Sequence, residues 1–147
     1  MFNTPFANLL AKGIFHGAAI PGLFDNAASA PLTKLVMRLH TQDPGPTGTQ
    51  ETNEVNYVGY QGIEIDRLLA KWNVTNNIIT PSARVEFPEM TGGVEQLATW
   101  ISIGYAKTGP SMIIVRGKLA PDVQCRLGVI PAIKADTTIT LVTATPA

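Results

Sequence analysis

The chain has 147 residues, 45% of them hydrophobic and 15% charged, with eleven basic residues balanced by eleven acidic ones. That length fits one domain of about 100–150 residues, large enough to fold without disulfides or metals, and the lone Cys125 excludes an intrachain disulfide. A formal charge of zero argues against nucleic acid or an anionic membrane as partner, since both need a cationic surface. No apolar run approaches the roughly 20 residues of a membrane span.

Residues 4–15 read as a short amphipathic helix. Thr4 can cap it, Pro5 suits the first helical position, and Gly13 or Gly17 can end it. Phe6, Leu9, Leu10 and Ile14 recur at helical spacing, so this stripe is expected either to pack on the protein's own core or to dock on another subunit. Residues 17–31 are small and aperiodic and read as a connector.

From residue 34 the rhythm is that of strands. Leu35, Met37 and Leu39 alternate with Lys34, Val36, Arg38 and His40, the period-two mark of a half-buried antiparallel strand, with His40 expected on the solvent face. A polar loop follows over 41–60. Pro44, Gly45 and Pro46 forbid a helix or a ladder there. The return through Thr52–Tyr60 carries Tyr57 and Tyr60, a residue type that covers much area for little lost entropy at contact surfaces. The loop therefore reads as built for contact, with the two tyrosines open to either of two roles, contact residues or structural anchors.

Residues 63–66, 72–80 and 84–87 supply further strands. Segments 97–105 and 112–119 are apolar at both parities and are joined by Lys107-Thr108-Gly109-Pro110, which predicts a central hairpin buried on both faces. Residues 123–130 and 137–143 complete a count of seven to nine short strands. The predicted fold is all-β, a jelly-roll-like antiparallel β-sandwich with a short N-terminal helix, in a single domain over 1–147.

Catalytic chemistry is hard to find. Only two histidines are present, His16 and His40, too few and too scattered for a zinc site that takes three protein ligands. No Gly-x-Ser-x-Gly elbow occurs, and Cys125 lacks a histidine nearby in sequence. Glu64 and Asp66 would share one strand face, which reads as an exposed, solvated face rather than a carboxylate pair for catalysis. The chain is thus expected to be no enzyme and to hold no cofactor and no metal. Its charged fraction of 15%, against about 25% in average soluble domains, suits a component of an oligomer or lattice. The N-terminus lacks the charged start and long apolar core of a secretory signal, which predicts synthesis in a cytoplasm.

Taken together, the stretches at residues 8–15, 20–33 (IPGLFDNAASAPLT), 39–45 (LHTQDPG) and 52–60 (TNEVNYVGY), with Thr91-Gly92-Gly93, resemble a family of small virion proteins of tailed bacteriophages often labelled tail-fibre proteins. The pattern is also similar to jelly-roll cement, or decoration, proteins that bind the outside of HK97-type capsids. The resemblance implies a structural virion protein synthesised in a bacterial host, forming homodimers or homotrimers and bridging major capsid protein subunits on the outer surface of the head. The alternative it leaves is a tail-fibre or baseplate accessory protein for host attachment. The residues expected to carry the partner interface are Phe2, Phe6, Leu9, Leu10, Tyr57 and Tyr60.

Overall fold

A computed structural model describes residues 4–19 and 32–141, with side chains from residue 7 onward. Phe2 and the side chain of Phe6 lie outside the described residues, as do residues 20–31 of the connector and the last two residues of the strand expected over 137–143. The fold is all-β and antiparallel with one short N-terminal helix, as the sequence predicts. It divides into two compact units, each assembled from separate stretches of chain.

The first unit takes the N-terminal segment to Thr33, Asp66–Ala83 and the C-terminal segment from Lys134. Helix α1 spans Thr4–His16. Its fully buried stripe is Ala7, Ala11 and Phe15, residues four apart on one face. The stripe is thus turned from the one expected. Leu9 points outward, and Leu10 and Ile14 are half-buried. The cause is Phe15, whose ring meets Trp72 edge-on with centroids 4.7 Å apart, while the two alanines allow close approach.

Gly17, at φ 66°, takes the left-handed conformation that ends the helix. Arg67 then covers the helix end: its Nε donates to Ile14 O at 2.6 Å and its Nη2 to Gly13 O at 2.7 Å. His16 Nε2 donates to Trp72 O at 3.0 Å.

Strands β3 (Trp72–Thr75) and β4 (Ile78–Pro81) pair antiparallel, and β4 also pairs with a two-residue strand at Ile139–Thr140, the last among the described residues. The strand structure expected over 72–80 is an antiparallel hairpin. It turns at Asn76 and Asn77, with Asn76 at φ 57°, a conformation asparagine tolerates better than most residues.

The second unit comprises Lys34–Ile65 and Arg84–Ile133. Its main sheet is formed by β1 (Lys34–His40), β2 (Ile63–Asp66), β6 (Gln96–Gly104) and β7 (Ile113–Cys125) in the order β2-β1-β6-β7. Short strands β5 (Val85–Glu86) and β8 (Ala132–Ile133) make a second, two-stranded sheet, which leaves the strand at Ile139–Thr140 as β9. A jelly roll distributes eight strands over two sheets; the described residues form sheets of four, three and two.

Two expectations change in the main sheet. β1 is buried on both faces after Lys34, including Arg38 and His40 at 0% exposure, because the chain that follows it folds back over the Arg38/His40 face. His40 is not on a solvent face. β6 and β7 do form the expected antiparallel hairpin, pairing Trp100 with Lys118 and Gly104 with Ile113. Yet β7 is the sheet's edge, and of its thirteen residues only Leu119 and Cys125 are buried. Its apolar residues at both parities cover one neighbour and a bulge, where β7 runs through Leu119–Asp122 opposite Thr99.

Candidate functional site: the 41–60 loop

The loop between β1 and β2 is fastened to the sheet by buried polar side chains. Arg38 and His40 stand two residues apart on β1 and so share a face. Arg38 reaches three groups: its Nε donates to Ala106 O at 3.0 Å, its Nη1 to Gly109 O at 3.2 Å and to Glu54 Oε2 at 3.1 Å. One guanidinium thus ties the 41–60 loop and the β6–β7 turn to the same strand. Burial of Glu54 outweighs the attraction of Arg38 and holds its carboxyl above the usual glutamate range.

His40 carries the second attachment. Its Nδ1 lies 2.9 Å from Thr52 O, and a carbonyl can only accept, so Nδ1 bears the proton. Nε2 is then an acceptor, filled by the Ser102 hydroxyl at 2.7 Å. Ser102 Oγ in turn accepts from Gln50 Nε2 at 3.3 Å, and Gln50 Nε2 also donates to Val36 O at 2.9 Å. Burial pushes the His40 imidazole below its ordinary value of 6.5, against the Thr52 carbonyl, which favours the charged ring; Arg38 adds to the lowering and Asp43 opposes it.

Gln50 lies fully inside the fold, a loop residue plugged into the sheet. Its backbone N–H donates to Ser111 O at 2.9 Å. Gly104 makes this possible: a Cβ there would stand 2.3 Å from Gln50 Oε1 and 2.3 Å from Met112 O. Gln50 Oε1 is buried with no hydrogen-bond partner among the described residues.

The tyrosines of the loop are anchors. Tyr57 is 3% exposed, and its hydroxyl donates to Pro88 O at 2.6 Å. Tyr60 accepts from Leu39 N–H at 2.7 Å, meets Tyr57 edge-on at 5.3 Å and stacks on Phe87 at 6.0 Å. Burial raises both phenols above their ordinary value. Among the other residues expected at an interface, Leu9 is exposed on the outer face of α1 and Leu10 is half-buried beside it.

Up to Asn56 the side chains the loop shows to water are mostly polar: Gln42, Asp43, Thr47, Glu51, Asn53 and Asn56. Asp43 is held by Gly45 N–H at 2.8 Å and by Arg116 Nε at 2.8 Å, bonds that keep its carboxyl below the usual range. Exposed apolar side chains lie instead where three segments run side by side. Val58 N–H donates to Gly92 O at 2.9 Å and Met90 N–H to Val129 O at 3.2 Å, which brings together the exposed Val58, Leu127 and Val129, with Val94 and Ile130 next along the chain. In sequence Leu127, Val129 and Ile130 belong to the strand expected over 123–130, and nothing local singles out Val58 or Val94 as lying near them.

Other candidate chemistry is occupied or hidden. Glu64 forms exposed ion pairs with Lys34 at 3.4 Å and Lys107 at 3.7 Å. Cys125 is buried, and burial pushes its thiol up to about 11. In the first unit an open groove is lined by Lys12, His16, Leu69 and residues 72–75, but Trp72 is turned fully inward and offers no ring face there. Among the described residues no group of three or more His, Cys, Asp or Glu side chains could hold a metal ion.

A family profile described as podophage GP4 fiber I protein gp80 matches residues 15–145. The chain belongs to this family. It is a structural protein of a bacteriophage virion. The matched stretch takes in the whole strand-built part of the fibre-family chain, with Tyr57 and Tyr60, and leaves out Leu9 and Leu10. No curated protein matches the sequence. No helix among the described residues is long and apolar enough to cross a membrane.

Proposed function

We propose that the chain is a subunit of a podophage virion fibre that assembles with copies of itself and contributes surface, not catalysis. The observation that carries this reading is the match of residues 15–145 to a family described as a fibre protein. Support for a binding role comes from the use of the polar residues: Arg38, His40, Gln50 and Glu54 are all spent on holding the 41–60 loop. Support for self-association comes from the low charge and from Val58, Val94, Leu127, Val129 and Ile130, which leave apolar area in water near the return of that loop.

A second reading, in which the chain is a capsid cement protein bridging major capsid protein subunits on the outer surface of the head, is favoured by the same low charged fraction and net charge of zero. Immunogold electron microscopy of virions, with antibody raised against the purified protein, separates the two. The fibre reading expects label on discrete appendages. Label spread over the head overturns it in favour of cement, and unlabelled particles overturn both.

A further inference from the structure

We propose that His40 is a proton-operated latch for the 41–60 loop: protonating its imidazole releases the limb that carries Gln50 and Thr52 from β1 while the β1–β6 pair stays closed.

The geometry behind this is a one-way chain of hydrogen bonds. Gln50 Nε2 donates to Ser102 Oγ, Ser102 donates to His40 Nε2, and His40 Nδ1 donates to Thr52 O. Each bond runs in the only direction a neutral imidazole allows, and both ends of the chain are on the loop. A proton on Nε2 turns that nitrogen into a donor. Ser102 Oγ then faces two donors, and its own hydrogen has lost its acceptor. At this site the buried acceptor with no hydrogen-bond partner among the described residues is Gln50 Oε1, on the same side chain that already bonds Ser102. Turning the Gln50 amide to offer that oxygen takes Nε2 away from Val36 O, a bond of 2.9 Å that plugs the loop into the sheet. A charged His40 therefore cannot keep every bond that fastens the loop, and an unmade buried bond costs more than a made one returns.

The charged groups around the ring decide the sign. Arg38, on the same face of β1, repels an imidazolium. Asp43 attracts it, but Asp43 is exposed and already bonded to Arg116. Glu54, bridged opposite His40, is engaged by Arg38. β6 presents Trp100 and Ser102 on this side, and neither titrates. Burial completes the case, since the closed site disfavours the charged ring while an open loop would hydrate it. The first attachment holds the β6–β7 turn through bonds from Arg38 to the backbone carbonyls of Ala106 and Gly109, which carry no proton to lose, so the turn is expected to stay in place.

The test is amide hydrogen exchange on the intact chain at pH 8 and pH 5, corrected for intrinsic rates. The reporters are the amides of Gln50 and Val55, bonded to Ser111 O and Leu39 O, against the amides of the β1–β6 pair. Opening coupled to one proton with an ordinary histidine value predicts that loop protection falls by up to about thirtyfold at pH 5 while β1–β6 protection holds. Unchanged loop protection, or loop and β1–β6 amides weakening together, overturns the latch. In the same assay His40→Gln, which keeps a polar side chain but cannot titrate, should remove the pH dependence. If that variant fails to fold, imidazole NMR of the natural chain decides: a His40 ring that titrates while the loop stays protected contradicts the proposal.

Discussion

His40 Nε2 and Ser102 Oγ lie 2.7 Å apart across the β1–β6 pair, with His40 at 0% and Ser102 at 1% exposure. No water reaches this bond to replace it. Ser102→Ala leaves the imidazole acceptor unmet and removes one acceptor from Gln50, and should cost about 1–3 kcal/mol in urea unfolding at neutral pH. A loss within the ±0.5 kcal/mol or so typical of surface changes would mean that the loop is not held here.

The same pair sets the response to acid. Folding lowers the value of His40 from 6.5, so the unfolded chain binds more protons between that value and the folded one. The stability His40 contributes is complete above 6.5 and drains away as pH falls toward the folded value. Glu54 has the opposite sign: its folded carboxyl titrates above 4.5, so its contribution is complete below 4.5 and is lost as pH rises through the folded value. Urea midpoints measured from pH 8 to pH 5 should therefore fall in the natural chain relative to His40→Gln, whose curve keeps the Glu54 contribution and loses that of His40.

Arg38 is the costlier residue to lose. Arg38→Met leaves the partly buried Glu54 carboxylate and the carbonyls of Ala106 and Gly109 without their donor, a loss expected at about 3–5 kcal/mol. Arg38→Lys should recover little, because one ammonium cannot reproduce a planar fork aimed at three acceptors. Denaturant titration of both variants checks this, and full recovery by lysine would contradict it.

Arg67 fastens the helix to the first unit through Gly13 O and Ile14 O. A cation on the last helical carbonyls also meets the negative end of the helix dipole. Arg67→Ala should cost about 1.5–3 kcal/mol, the range for bonds made by a charged donor. Far-UV circular dichroism should follow it, with helical signal lost at a lower temperature than in the natural chain.

The strands themselves were legible because period-two alternation and turn residues speak locally. Over 72–80 strand structure was legible, and Asn76-Asn77 is where it turns. Burial of Arg38 and His40 was not legible: alternation assigns a polar face to water, and only the returning loop covers it. Gln50 gave no signal, since a glutamine in a Gly/Thr-rich loop looks solvated until Gly104 lets it in. The edge position of β7 misled in the other direction, because Ile113, Ile114 and Val115 read as a strand buried on both faces. Tyr57 and Tyr60 had two open roles, and their hydroxyl bonds to Pro88 and Leu39 make them anchors.

Cys125 offers a simple check on the packing of the second unit. Its thiol is buried and held up to about 11, so almost no thiolate exists at pH 8. Ellman's reagent should leave the native chain unlabelled and should label the chain once in denaturant. Rapid labelling of the native chain would show that this end of β7 opens.

Quantitative mass spectrometry of purified virions tests the functional account most directly, by the molar ratio of this chain to the major capsid protein. A fibre subunit occupies a limited set of symmetry-fixed positions, so the account predicts that the chain is present at a small fraction of the capsid protein. A ratio near one copy per capsid subunit, or absence from purified particles, would contradict it.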